Sequence, residues 1–115
     1  MPNSGLRGPF SLTSAGIDSE VTRTSAGAYA LGKTDDQNVF HIHYVGRADS
    51  DVATRLKAHV PKWYPQFKFE YYPSAKAAFE KECNLYHDFG PGDNEVHPAR
   101  PQGASWTCPR CTAFD

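Results

Sequence analysis

One stretch, HYVGRADSDVATRLKAH at residues 43–59, gathers side chains that could do chemistry on a charged substrate. Arg55 and His59 lie four residues apart, so on a helix they project from the same face, one above the other. Tyr44 ends the strand-like half of the stretch, and Gly46 lets the chain turn closely into the helical half. An arginine fork can grip two phosphate oxygens at once, and a phenol or imidazole beside it can hold or pass a proton. Such a set suits the cleavage of a phosphodiester. The competing reading is a solvated helix face with a core tyrosine, and spacing alone favours it. His43 alternates to the other side of the strand and falls outside the set.

Positioning these groups requires a strand-to-helix unit and a surface for it to pack on. AYALG and VFHIHYV flank the turn-forming GKTDDQN and predict a β-hairpin, with Phe40, Ile42 and Tyr44 alternating against Val39, His41, His43 and Val45. Asp49-Ser50 predicts the start of a helix over DVATRLKAHV, with Val52, Leu56 and His59 or Val60 at helical spacing and Pro61 as its stop. QFKFEYY alternates again as a third strand. Pro73-Ser74 then opens a second helix, AKAAFEKECNLYHDF, closed by Gly90-Pro91-Gly92. The order β-β-α-β-α predicts an α+β domain with a small antiparallel three-stranded sheet flanked by helices. Residues 1–24, rich in Gly, Ser, Thr and Pro, read as a flexible arm, residues 25–94 as the folded domain, and residues 95–115 as an irregular extension.

Gly27-Ala28-Tyr29, followed by Tyr44-Val45-Gly46 and then Arg55 and His59, resembles the signature of the GIY-YIG nuclease family, named for two such tripeptides on its first two strands. AFEKECNLY at residues 78–86 resembles the family's second-helix pattern, and Pro91 and Asn94 match residues that follow it. The resemblance spans residues 25–94. The first tripeptide is GAY, a change that leaves Tyr29 in place, and the long interval between the two tyrosines is taken up by the turn.

The resemblance implies a metal-dependent endonuclease that hydrolyses phosphodiester bonds with one divalent cation, Mg²⁺ or Mn²⁺, held by Glu82. Arg55 would neutralise charge building on the scissile phosphate. Tyr29 and Tyr44 would position or deprotonate the attacking water, with His59 as the rival base. Gly46, Arg47 and Asn94 would contact the substrate. The residues bear on this independently: Glu82 lies at a helical angle near Phe79 and Tyr86, hence beside the buried face, whereas Glu80 points away.

The three cysteines raise a second possibility. Cys108-Pro-Arg-Cys111 has the spacing of half a zinc site, and Cys83 and His87 are four apart on the second helix. A tail returning along that helix would complete a structural Zn²⁺ site of three cysteines and one histidine, with His97 competing for the place of His87. The alternative is a buried Cys83 with an idle or redox-active pair at the tail.

Composition bounds the partners. The chain has 115 residues, a formal net charge of −1 and 22% charged residues, so no global positive field draws it to nucleic acid. A local patch of Arg47, Arg55, Lys57, Lys62 and Lys68 would have to serve. DNA is the expected partner, with RNA as the alternative polymer. A delivering protein or transient pairing would help so small a unit, and a catalytically weak binding module of the same fold is the rival function. No apolar run is long enough to span a membrane and no signal peptide is evident, so the chain reads as cytoplasmic.

Overall fold

A computed structural model describes residues 5–58, 64–89, 98 and 106–110. In chain order the elements are β1 (Arg7–Ser11), α1 (Ser14–Glu20), β2 (Gly27–Thr34), β3 (Phe40–Ala48), α2 (Val52–Lys57), β4 (Gln66–Tyr71) and α3 (Ala75–Phe89). Among the described residues, four strands form one antiparallel sheet in the order β1-β4-β2-β3. The α+β class, the hairpin and the later helices match expectation, and α3 covers the predicted segment from end to end.

Each sheet face has its own layer, and the alternation of β2 sets which. Tyr29 and Leu31 point toward a core shared with Phe67 and Phe69 of β4, Ile17 of α1, and Val52 and Leu56 of α2. Ala28 and Ala30 point the other way, where they meet Val45 and Leu85. Their short side chains let α3 lie close against the sheet.

The expected three strands become four because residues 7–21 are built into the fold. Phe10 packs on Phe67 and Phe69 with ring centroids 5.6 and 6.0 Å apart, and Arg7 meets Glu70 of β4 through Nε at 3.1 Å and Nη2 at 2.7 Å. Thr13 caps α1 by accepting from the Gly16 amide at 2.9 Å, and Ile17 is fully buried. Few apolar residues mark this segment. They are buried by pairing with a strand far along the chain, which local composition does not reveal.

Two further expectations are corrected by local geometry. Asp51, not Asp49-Ser50, caps α2, its carboxylate accepting from the Thr54 amide at 3.4 Å and hydroxyl at 2.8 Å. On β3 the simple alternation fails. Leu31 pairs with Tyr44 but Gly32 with Ile42, so His43 is an extra residue in a β-bulge. Ile42 thereby joins the α3 side with Val45, while Tyr44 packs on the other core. Gly32 permits the bulge: a Cβ there would lie 1.9 Å from the His41 carbonyl oxygen.

Candidate active site

The two tripeptides face each other across the hairpin, with Tyr29 of β2 directly opposite Gly46 of β3. The Tyr29 ring lies over the Gly46 backbone so closely that a Cβ at residue 46 would sit 2.5 Å from both Cζ and Oη. Any larger residue at this position would displace the phenol. Tyr29 is 1% exposed and lies within interaction range of the Arg55 side chain of α2. Burial pushes its pKa up, and the neighbouring Tyr44 adds to the rise, against the pull of Arg55. Tyr29 is therefore a neutral phenol near pH 7, suited to holding a hydrogen bond and poorly suited to removing a proton.

Glu82 comes to the same region from α3. It is the one buried charged residue among the described residues, at 8% exposure. Nη1 of Arg47 donates to its Oε1 at 2.8 Å, while Nε of the same guanidinium donates to Asp49 at 2.9 Å. Arg47 also lies 5.1 Å from the centroid of Phe79, a cation–π contact on the side of α3. Burial raises the Glu82 pKa, and the Arg47 hydrogen bond and charge oppose that rise without cancelling it. Asp49 adds to the rise, Arg55 counters it, and Glu82 in turn acts on Tyr29, so these groups lie within reach of one another's charge.

The structure thus brings Tyr29, Tyr44, Gly46, Arg47, Arg55 and Glu82 together around the end of β3. His59 and Asn94 lie outside the described residues, as do His97 and Cys111. The cations expected in a patch are differently employed. Arg47 sits between two carboxylates with its side chain 13% exposed. Lys57 is paired with Asp18 of α1, Lys68 lies over the Phe40 ring, and Lys62 is outside the described residues. Arg55 is the exposed arginine next to Tyr29.

Two residues join the region that spacing did not select. Asp49 follows Arg47 by two residues, just past the end of β3, and flanks it with a second carboxylate. His43 is brought back by the bulge: its ring stacks on Tyr64 at 6.3 Å, and Tyr44 meets the same ring at 6.4 Å. Its Nε2 is buried without a hydrogen-bond partner among the described residues. Only the pairing register reveals this.

Glu82 offers the chemistry a hard divalent cation needs: a carboxylate whose burial disfavours bare charge and whose Oε1 alone is engaged by Arg47. No model of a known protein family, no curated protein and no solved structure matches the chain. No described helix is long and apolar enough to cross a membrane.

Proposed function

We propose that this chain is a metal-dependent DNA endonuclease of the GIY-YIG kind, hydrolysing phosphodiester bonds at the end of its hairpin. The observation that carries the reading is that Tyr29, lying over Gly46, and Arg55 and Glu82, from three elements distant in sequence, come within reach of one another's charge. Motif resemblance concerns order along the chain, and this meeting in space is a separate property.

Glu82, steadied by Arg47, would hold Mg²⁺ or Mn²⁺, which when bound stabilises negative charge on the phosphate and leaving oxygen. Arg55, exposed and beside Tyr29, pairs with a non-bridging phosphate oxygen and strengthens that contact as charge develops. Tyr29 stays protonated and orients Arg55 or a water. The proton of the attacking water passes to Tyr44, His59 or His43, its oxygen bonds to phosphorus, and the bond from phosphorus to the leaving oxygen breaks. Arg47 acts as a positioning residue for Glu82, and Asn94 contacts the substrate beyond the described residues.

The rival reading is a nucleic-acid- or protein-binding module that cuts slowly or not at all. One observation favours it: Arg47 already neutralises the carboxylate that the reaction would need. Nicking of supercoiled plasmid with Mg²⁺ or Mn²⁺ separates the two. Wild type is expected to nick, and Glu82→Ala and Arg55→Ala each to lose about 100-fold or more, the scale of one removed charge-stabilising group. Folded wild type that leaves several DNA and RNA forms intact would overturn the nuclease reading in favour of the binding module, and activity surviving both substitutions would remove the site.

A further inference from the structure

The described part of the C-terminal segment runs along α3 in step with it. Trp106 meets Phe79 with ring centroids 5.5 Å apart, Cys108 meets Cys83 and His87, and Arg110 meets Asp88 at 2.8 Å. Each step forward in the segment is a step forward on the helix. The middle step is chemically unusual. Cys83 is fully buried and Cys108 is 6% exposed, both in one small cluster with Phe79, and their thiols lie near enough to act on each other. Cys108 Sγ lies 3.4 Å from His87 Nε2. An ion bonded tetrahedrally to one sulfur and one imidazole nitrogen holds those two atoms about 3.6 Å apart, given zinc–sulfur and zinc–nitrogen bonds of about 2.3 and 2.0–2.1 Å. The backbone amide of Arg110 also points at Cys108 Sγ, at 3.4 Å, a contact that would stabilise sulfur as a thiolate.

We propose that Cys83, His87 and Cys108 are donors of a structural zinc site that fastens the C-terminal segment to α3. Among the described residues no three donor side chains already enclose a common point, and Cys111, which the CxxC spacing supplies, lies beyond them. Sulfur donors beside an imidazole nitrogen favour Zn²⁺ over the hard cations suited to Glu82. Binding replaces the thiol protons, which pass to solvent. The site does not rest on the nuclease reading, since it shares no ligand with it.

The full chain, purified without chelator, is expected to carry about one zinc per molecule by elemental analysis. Its thiols should resist a thiol reagent until a chelator is added, and chelation should lower Tm. His87→Ala and Cys108→Ser should each lower zinc content, whereas Glu82→Ala should leave it unchanged. Because a cysteine variant can fail to fold, Co²⁺ is added to metal-free wild type, where thiolate-to-cobalt charge transfer and tetrahedral ligand-field bands are expected. A folded wild type with freely reactive thiols and no Co²⁺ bands would overturn the site, as would a disulfide between Cys83 and Cys108 in the purified chain.

Discussion

Two arginine–glutamate pairs join distant parts of this molecule, and they make a nearly controlled experiment in burial. Arg7 meets Glu70 with two contacts, Nε at 3.1 Å and Nη2 at 2.7 Å, above the rings of Phe69 and Tyr71. Arg47 meets Glu82 with one contact, at 2.8 Å, above the ring of Phe79. Geometry alone would favour the first pair, and two-pronged arginine contacts are the stronger kind. Yet the carboxylates respond in opposite senses. Glu70 is held below its ordinary range by the Arg7 hydrogen bond, while Glu82 is raised by burial despite Arg47. The side chains of the first pair are 54% and 28% exposed, those of the second 13% and 10%. Water, more than the partner, decides what each carboxylate is: Glu70 is a surface tie, and Glu82 is a charge kept where charge is costly.

The largest expected effect comes from removing Arg47, with Arg7 as the control. Arg47→Ala leaves Glu82 buried without its partner and should cost about 3–5 kcal/mol in denaturant unfolding at neutral pH. The loss should shrink toward acid pH, where Glu82 can take a proton. Arg7→Ala, at an exposed pair, should leave the midpoint nearly unchanged. Equal effects would break the comparison. Phe79→Leu comes next. It keeps apolar bulk beneath Arg47 but removes the aromatic face, and for a desolvated guanidinium that contact is worth about 2 kcal/mol. Combined with Arg47→Ala it should cost less than in the wild-type background, because the cation–π partner has gone while the lost packing against Trp106 remains.

How far the sequence could foresee this contrast depends on the length scale of each signal. The extent of α3 was legible because its stop, cap and apolar spacing are all local, and the placement of Glu82 beside its buried face followed from helical angle. Its partner Arg47 is 35 residues away, and no spacing rule connects a strand residue to a helix residue over that interval. Arg47 therefore read as a phosphate contact, although its guanidinium turns to Glu82 and Asp49. The bulge at His43 is likewise a property of register, which exists only once β2 and β3 have paired. Residues 7–21 show the same limit from the other side: Phe10, Leu12, Ile17 and Val21 are too sparse to announce a strand and helix, and become core only against Phe67 and Phe69. Tyr44 and Arg55 were legible together because each sits on an element with a strong local pattern, whereas Tyr29 joined them only through the family resemblance.

The smallest effect, and the sharpest test of sign, is the pH dependence of the two carboxylates. Both start from an ordinary value of 4.5 in the unfolded chain. Glu70 is lowered on folding, so its contribution is fully present above 4.5 and is lost as pH falls through its folded value. Glu82 is raised, so between 4.5 and its folded value the native state binds more protons than the unfolded one, and stability falls as pH rises through that window. Unfolding of wild type, Glu70→Gln and Glu82→Gln should be followed from pH 3 to 8 (a range of about two units or more on each side of the ordinary carboxylate value). The advantage of wild type over Glu70→Gln should grow with pH below 4.5 and then level off. Relative to Glu82→Gln it should decline with pH above 4.5 and then level off. Adding Mg²⁺ or Mn²⁺ should flatten the second curve alone, because a cation at Glu82 opposes its protonation. Two curves of the same slope would mean that Arg47 compensates burial fully, and that Glu82 is a structural ion pair like Glu70, with no unmet charge to offer a cation.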